Sequence, residues 1–573
     1  MNIASHKEYL PIGLFRMRFV LLWLAGSVAA YFLTSFFSNF YPSTYQFVLL
    51  SLTFQLVCGT VAFLLLDDIL QDLRINWHRD STTVLTLCIV FLLSVSAVII
   101  SWQFPGLFDR RILFMDVSRV PLFIVLSFIS IGSTAVLLKV LNQYGIPESL
   151  KRASFFRFIH ENLPGILLAI FFLFTYFTFA ESINFPEFRT LDQFFDTDIS
   201  AWLARLTSTA RQDVSMVRAV HPAVLLFLRP IVWFISVFLN GDRLHAVFLI
   251  HALAGASCVL LAWLIVKRAS GNMAYSLIMA SLLGASTSHL LLSSMLETYI
   301  YSALALIFFA FLVHSENTPL KFTVPAGALV GGITVSNLIQ TCILYFLKQP
   351  HIKVIIKYVL MVVFIILMLN ILQVWIYPNA KPVFVPANLL IEQRYRFNVF
   401  GFSWRAIGRF SLIVRAILLY GIVAPKPFVL TKELGANFPN FRTFQITIGE
   451  FHVAGYTGLA DITVKFWLII LATACILFIL NFVKTLKQTW FSVGLVLCLG
   501  FSLILHTVYG DDPLLYSPNW VYALVLFVAL SLQKWADHKW LQITMIIFLG
   551  LMMIVNLNLI HQIMSVSLPF YSK

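Results

Sequence analysis

Long apolar runs separated by short polar connections recur along the 573-residue chain from Phe15 to the C-terminus. Many of these runs have the length of about twenty residues that a helix needs to cross the hydrocarbon core of a membrane. In that core every backbone N–H and C=O must be paired within the segment, and the strands of a barrel would be shorter and alternating. The pattern therefore predicts an all-α fold, a polytopic transmembrane helical bundle with juxtamembrane helices on its outer face.

The apolar runs predict about fifteen spans. Those that cross most plainly are 15–37, 45–66, 84–104, 120–141, 163–180, 244–266, 274–295, 299–312, 354–376, 464–483, 491–508, 520–532 and 541–560. Residues 222–239 are interpreted as a re-entrant or juxtamembrane element, because Arg229-Pro230 interrupts them. A short helical pair is expected around 324–347. We interpret residues 1–145 as a four-span accessory module and residues 146–573 as the functional module, with outer loops at 181–243 and 377–462.

The charge of the chain bears on its orientation in the membrane. The formal net charge is +14, yet only 11% of the residues are charged and 60% are hydrophobic. In a soluble protein this excess would suggest nucleic acid, but here Lys and Arg lie in short loops between apolar runs, where they determine topology. We therefore expect no nucleic-acid partner. The resulting orientation has cytoplasmic loops at Arg152, Arg268, Lys348 and Lys487, and outer loops at Asp198, Arg405 and Asp512.

The first outer loop carries a pair of carboxylates, Asp196 and Asp198, directly before a short amphipathic helix. The apolar residues of that helix have helical spacing: Ile199, Trp202, Leu203 and Leu206. We therefore expect the helix to lie on the membrane surface. A carboxylate at the membrane surface accepts a proton from a hydroxyl, and a carboxylate pair also holds a divalent cation. The alternative is that these residues cap the helix, which is what Asp does at many helix starts.

Two further outer features carry polar chemistry. Glu297 lies at the outer end of a span, where an acid in an apolar neighbourhood is costly and usually functional; the alternative is an ordinary loop in water. The closing outer loop supplies a histidine, acids and aromatic rings able to stack on sugars, including His506, Asp511, Asp512 and Tyr516. If the protein binds a metal, Asp196, Asp198 and Glu297 are its expected ligands.

The long outer loop departs from the usual charge distribution. Residues 377–460 contain nine Lys and Arg against three Glu, a net charge of +6 on the translocated side. Arg405, Arg409 and Arg415 alternate with apolar residues as they do in an interfacial helix that binds phosphate. A lipid-linked phosphate matches this surface, and general attraction to anionic headgroups is the alternative.

The order of these features resembles the GT-C superfamily of glycosyltransferases that use polyprenyl-phosphate sugars, in particular its protein-mannosyltransferase and aminoarabinose-transferase branch. The similarity covers about residues 163–573. The matching features are Asp196-Thr197-Asp198, His221-Pro222, the span that ends in Lys267-Arg268, Glu297-Thr298-Tyr299, the glycine-rich turn from Gly331 to Asn337, and Tyr516-Ser517-Pro518.

The resemblance implies an inverting glycosyltransferase of the cell envelope, which moves a sugar from a polyprenyl-phosphate donor to a lipid, glycan or protein acceptor. It implies that Asp196 or Asp198 is the catalytic base, with Asp196 slightly favoured. The expected substrate-binding residues are His221, Glu297, Arg394, Arg396, Arg405, Arg409, His506 and Tyr516.

The expected location is an integral, multi-pass protein of a bacterial inner membrane with its active site on the outer face and membrane lipids around it. A divalent cation is the cofactor to be tested. The main alternative is a transporter or flippase for a lipid or an anionic solute. Transporters usually contain internal repeats and ionisable residues at mid-span, whereas this chain has no evident repeat and its acids lie at outer ends. A non-catalytic membrane scaffold is the third hypothesis.

Overall fold

The structure is a computed structural model that describes residues 12–75, 77–107, 114–184, 193–210, 216–315, 318–397, 403–430, 439–484 and 489–571. The described residues are mainly helical, and the chain divides into two compact units. The first unit comprises residues 1–81 and 109–163, and the second comprises residues 82–108 and 164–573. The third long helix therefore lies almost entirely in the second unit. The predicted division into an accessory and a functional module stays a prediction.

In its described residues, the first unit contains three long helices and one short helix in full. They are α1 (Ile12–Ser38), α2 (Thr44–Ile75), α4 (Val120–Gln143) and α5 (Ile146–Arg152), while α3 (Trp77–Gln103) begins here and continues in the second unit. A Cβ on Gly26 would lie 2.7 Å from the Cα of Gly59, so these two glycines let α1 and α2 approach closely. Gln55 bonds Ser27 and Ser127, which pairs polar side chains between three apolar helices.

The second unit holds the remaining helices, apart from residues 154–163 at the start of the first of them, which belong to the first unit. Its first half contains α6 (Ser154–Ile183), α7 (Ile199–Thr207), α8 (Val224–Phe238), α9 (Arg243–Ser270), α10 (Met273–Ala285), α11 (Thr287–Leu292) and α12 (Tyr299–His314). Its second half contains α13 (Leu320–Ile333), α14 (Leu338–Lys348), α15 (Ile352–Ile376), α16 (Pro386–Leu390), α17 (Trp404–Arg415), α18 (Leu459–Lys484), α19 (Trp490–Val508), α20 (Pro518–Leu532) and α21 (Lys539–Tyr571).

Among the described residues, ten helices are long and apolar enough to cross a membrane, so the protein is an integral, multi-pass membrane protein. These ten are α1 to α4, α6, α9, α15, α18, α19 and α21. The predicted number of about fifteen spans is not confirmed. Several predicted spans are short apolar helices instead, and the predicted span 274–295 is broken at Ser286 into α10 and α11.

The long outer loop contains strands that the all-α prediction missed. Strand β1 (Phe428–Leu430) pairs with β2 (Asn440–Arg442), and β3 (Phe444–Thr447) pairs with β4 (Glu450–Val453), both antiparallel. The first outer loop adds to this region, because the backbone N–H of Phe195 donates to the carbonyl of Phe441 at 2.8 Å. The two outer loops therefore lie against each other.

Basic residues cluster at the C-terminal end of α9. Arg268 donates to the hydroxyl of Ser315 at 2.6 Å, and Lys348 donates to the carbonyl of the same serine at 2.7 Å. At the other end of α9, Asp242 caps the helix by accepting the backbone N–H of His245 at 3.0 Å. Since α9 has 28 residues, its two ends are separated by about 40 Å, enough to reach both faces of a membrane.

This arrangement predicts membrane sidedness. Single cysteines introduced at Arg268 and Lys348 should react only with reagent added to the cytoplasmic side, and those at Asp198 and Arg405 only with reagent added outside. The labelling should be done in intact cells and in inverted vesicles, after the six native cysteines are replaced. Labelling of positions 198 and 268 from the same side would contradict the arrangement. Lys487, also expected inside, lies outside the described residues.

Candidate functional site

A polar cavity of about 490 Å³ lies where the outer loops of the second unit meet. Its lining residues come from distant parts of the chain: Asp196, Asp198, Trp202, Arg205, Arg218, His221, Glu297, Tyr299, Arg394, Tyr395, Asp511, Leu515 and Tyr516. The cavity thus combines four carboxyl groups, three guanidinium groups and four aromatic rings. Of the ten predicted site residues, the structure brings together six: Asp196, Asp198, His221, Glu297, Arg394 and Tyr516.

The backbone that carries the aspartates is strained. Phe195 has φ of 54° and Asp196 has φ of 69°, a left-handed conformation that costs energy in residues other than glycine. The bond from Phe195 to Phe441 and the complete burial of the Phe195 ring hold this turn in place. Two successive left-handed residues redirect the chain immediately before α7. As a result, both carboxylates line the cavity although they are two residues apart.

Asp198 occupies the position before the first residue of α7, but its side chain makes no capping hydrogen bond. The backbone N–H of Asp198 instead donates to the side chain of Glu297, a residue from the connection between α11 and α12. The amphipathic helix predicted from Ile199, Trp202, Leu203 and Leu206 is present, and all four of these side chains are buried within the protein. The prediction that this helix lies on the membrane surface is therefore wrong, because its apolar face packs on the protein. Asp198 at its start lines the cavity.

Glu297 is buried, with 3% of its surface exposed. Its carboxyl group accepts the backbone N–H groups of Asp198 and Thr298. The backbone N–H of Glu297 itself donates to Nε2 of His251 at 3.0 Å. Burial, and then the negative charge of Asp198, raise the pKa of Glu297 to about 8. Near neutral pH this side chain is therefore largely protonated, and it joins the first outer loop to the helical bundle.

Arg218 is held in an ion-paired network at the cavity wall. It forms an ion pair with Glu392, and Tyr509 bonds both partners, at 2.7 Å to Arg218 and 2.6 Å to Glu392. The guanidinium group also lies 4.4 Å from the ring centroid of Tyr395. The bond from Arg218 lowers the pKa of Glu392 against the opposite effect of burial. Arg218 thus presents a fixed positive charge to the cavity.

Two further arginines border the cavity. Arg205, on α7, is 9% exposed, donates to the carbonyl of Met216 at 2.7 Å and lies 4.5 Å from the ring centroid of Trp202. Arg394 is exposed, and it donates to the hydroxyl of Tyr395 at 2.7 Å. Guanidinium groups bind phosphate oxygens through two parallel hydrogen bonds. Three of them around one cavity therefore form a site able to hold a phosphate.

His221 lies in the same wall without carrying charge. Its Nδ1 lies 2.7 Å from the carbonyl of Ile333, and because a carbonyl can only accept, Nδ1 carries the proton. Burial, and then the charge of Arg218, lower the pKa of His221 to about 4. The ring contacts Trp202 edge to face at 5.5 Å. At neutral pH, His221 therefore offers an accepting Nε2 to its surroundings.

Four predicted substrate-binding residues do not line the cavity. Arg409 is fully buried and donates to the carbonyls of His506, Tyr509, Gly510 and Asp511, at 2.6 to 3.2 Å. The interfacial helix predicted around Arg405, Arg409 and Arg415 exists as α17 (Trp404–Arg415), but Arg409 lies on its buried side and holds the closing loop from behind. Burial lowers the pKa of Arg409 to about 10, so it remains charged.

The other three residues outside the lining have different positions. Arg405 is exposed, and its guanidinium group lies 4.9 Å from the ring centroid of Trp404. Arg396 is exposed, and its backbone bridges to Tyr509. His506 is buried behind Tyr516, with the two ring centroids 4.7 Å apart. His506 thus supports an aromatic wall of the cavity.

Sequence reasoning did not select Arg205, Arg218, Trp202 or Tyr395 as binding residues. Arg205 and Trp202 lie on the amphipathic helix, and their spacing of three residues was a usable signal for a shared face. Arg218 had no local signal, because its partners Glu392 and Tyr509 lie 174 and 291 residues away. Asp512 is buried and accepts bonds from Thr443, the residue between β2 and β3, so it joins this part of the long outer loop to the closing loop. Asp511, in contrast, lines the cavity.

The described residues contain no group of three or more His, Cys, Asp or Glu side chains placed to hold a metal ion. The expected cation ligands Asp196, Asp198 and Glu297 do line one cavity. However, the Glu297 carboxyl group accepts two backbone N–H groups and has a raised pKa, which disfavours metal binding in its protonated form. A divalent cation stays a prediction to be tested by chelation.

Comparison with known proteins gives no relative. No protein-family model, no curated protein and no solved structure matches the chain.

The raised pKa of Glu297 predicts a pH dependence of stability. The folded protein holds this proton up to about pH 8, whereas the ordinary pKa of the group is 4.5. Between these values the folded state binds more protons, so the free energy of unfolding decreases as pH rises. The variant Glu297→Gln has no titratable side chain at this position. From pH 5 to pH 8.5 the melting temperature of the wild type should therefore fall relative to that of the variant, by at least ~2 °C.

The control is Glu450→Gln, at an exposed glutamate in the β3–β4 hairpin. Its melting temperature should follow that of the wild type over the same range. Parallel profiles for Glu297→Gln and the wild type would show that Glu297 titrates normally.

Proposed function

We propose that the protein is an integral-membrane glycosyltransferase of the GT-C type, which transfers a sugar from a polyprenyl-phosphate donor to an acceptor. The observation that carries the proposal is one cavity in which the carboxylates of the first outer loop lie with three arginines. Two of these, Arg205 and Arg218, belong to the same loop, and Arg394 comes from the long outer loop. This pairing matches a reaction in which a hydroxyl loses a proton and a phosphate leaves. The resemblance of residues 163–573 to this superfamily supports the same conclusion.

The acceptor step uses Asp196 or Asp198 as the general base. The carboxylate takes the proton of the acceptor hydroxyl while the acceptor oxygen bonds to C1 of the sugar from the face opposite the leaving group. The bond between C1 and the phosphate oxygen breaks, and the lipid phosphate keeps the electron pair. Configuration at C1 is therefore inverted. Asp196 remains the slightly favoured base, by the resemblance to the superfamily.

The leaving phosphate is stabilised by Arg205, Arg218 and Arg394. Fixed charges aimed at a group that gains negative charge lower the barrier more than mobile charges do, because they need not reorganise during the reaction. Arg218 meets this condition through Glu392 and Tyr509. Positioning and charge stabilisation suffice for a donor that is already activated by phosphate, without a nucleotide or a covalent intermediate. The aromatic rings Trp202, Tyr299, Tyr395 and Tyr516 supply faces for the sugar.

The proposal places the active site on the outer face of a bacterial inner membrane, where a polyprenyl-phosphate sugar and a lipid, glycan or protein acceptor meet. The basic residues at the C-terminal end of α9 support this orientation by the positive-inside rule.

One observation favours the alternative of a transporter. Interrupted helices, here α10–α11 and α13–α14, commonly surround the substrate sites of secondary transporters. A purified protein in detergent distinguishes the two functions, because a transferase releases the lipid phosphate there, whereas a transporter produces no chemical change. Sealed vesicles loaded with the same lipid test for transport.

The catalytic base is tested by Asp196→Asn and Asp198→Asn. Asparagine keeps the size of the side chain and tolerates the left-handed backbone at position 196, but it does not accept the proton. Substitution of the base should lower turnover at least ~100-fold, with little change in melting temperature. The matched control is Asp461→Asn, an exposed aspartate paired with Lys465, which should transfer sugar normally. Normal transfer by both variants and by the double variant would exclude this loop as the catalytic one.

Donor binding is tested by alanine variants of two neighbouring arginines, Arg394 and Arg396. Arg394→Ala removes a guanidinium group from the cavity lining, while Arg396→Ala removes an exposed one that does not line it. Because a hydrogen bond to a charged group contributes about 1.5 to 3 kcal/mol, Arg394→Ala should weaken binding of a short-chain polyprenyl phosphate at least ~10-fold. Titration of that lipid phosphate in detergent measures the effect. Equal affinities for the two variants would place the phosphate elsewhere.

A further inference from the structure

The C-terminal end of α7 is held by two arginines from other helices. This helix bears Asp198 at its start and Arg205 near its end, so its position sets where a proposed base and a proposed phosphate ligand lie relative to the rest of the cavity lining. The carbonyls of Thr207 and Ser208 lie at its far end, where the helix dipole is negative and favours cations. The guanidinium groups of Arg229 and Arg243 donate to these carbonyls.

Arg229 is a fully buried charge within the apolar helix α8. Its Nη2 donates to the carbonyl of Ser208 at 2.6 Å. Its guanidinium group lies 4.9 Å from the ring centroid of Tyr377 and 5.3 Å from that of Trp233. An arginine in such an apolar segment is costly and is usually retained for function. Here its guanidinium group binds the C-terminal end of α7, the helix that begins after Asp198.

Arg243, the first residue of α9, reaches the same point from another direction. Its Nη1 donates to the carbonyls of Thr207 and Ser208, at 3.1 Å each. It lies 5.2 Å from the ring centroid of Trp233, so this ring contacts both guanidinium groups. Helices α8 and α9 therefore both fix the end of α7.

We propose that Arg229 and Arg243 are positioning residues, which hold α7 so that the first outer loop and Arg205 face the cavity in register. The inference rests on the proposed function for its catalytic consequence. A displacement of about 1 Å at the base costs about 100-fold in rate. The two cations hold the C-terminal end of this nine-residue helix, and Glu297 holds its other end through the backbone of Asp198.

The test uses Arg229→Gln, the conservative variant Arg229→Lys, and Arg243→Gln at the more exposed partner. The matched control is Tyr275→Phe, which removes a buried donor to the carbonyl of Ala529, at residues that do not line the cavity. Two quantities are measured: amide hydrogen exchange in a peptide covering residues 199–207, and the steady-state constants for sugar transfer.

Arg229→Gln should speed exchange of the α7 peptide at least ~10-fold and lower kcat at least ~10-fold, with a smaller change in KM for the donor because Arg218 and Arg394 are untouched. Arg229→Lys should recover part of both losses, and Arg243→Gln should show both to a lesser degree. Tyr275→Phe should lower the melting temperature with neither effect.

Unchanged exchange in the α7 peptide of Arg229→Gln and Arg243→Gln would overturn the inference, as would faster exchange with unchanged kcat. If the wild type transfers no sugar, the proposed function fails, and the exchange measurement still decides whether the two arginines hold α7.

Discussion

Polar groups in an apolar surrounding must be paired, and this constraint shapes the second unit most clearly where its helices break. The break between α10 and α11 exposes the carbonyl of Ala285, which accepts a bond from Asn556 of α21 at 2.8 Å. The same side chain bonds Ile422 and Ala424, so one amide satisfies backbone groups from two segments. At the start of α8, Asn370 and Gln373 do the same for Pro222 and His221. Interruptions are tolerated because long helices supply amides at those depths.

The cavity follows from the same constraint applied to charge. Two of its arginines are held by partners outside the cavity lining: Arg218 pairs with Glu392, and Arg205 donates to the carbonyl of Met216. These partners fix the direction in which each guanidinium group points, so the charged side chains do not pair with one another across the cavity. Substrate groups of opposite charge then meet oriented partners, which is the condition for electrostatic stabilisation of a reacting phosphate. Strain at Phe195 and Asp196 is tolerated because the outer strands fix that turn.

Sequence reasoning predicted the membrane class and most long helices, because an apolar run of sufficient length has few alternatives. It also located Asp196, Asp198 and Glu297, whose signal was an acid beside an apolar segment. Arg409 shows what the sequence pattern cannot predict. The pattern around Arg405, Arg409 and Arg415 indicates a helix, but it does not indicate whether lipid or the closing loop covers each side of that helix. The strands in the long outer loop were missed because each is only three or four residues long.

The lining of the cavity runs from residue 196 to residue 516, which has a consequence for biosynthesis. Asp196 and Asp198 leave the ribosome more than three hundred residues before the closing loop that completes their surroundings. During membrane insertion the growing chain therefore holds the carboxylates without the wall formed by Asp511, Leu515 and Tyr516. The cavity is therefore completed late in synthesis. A chain that ends before the closing loop lacks this wall of the cavity.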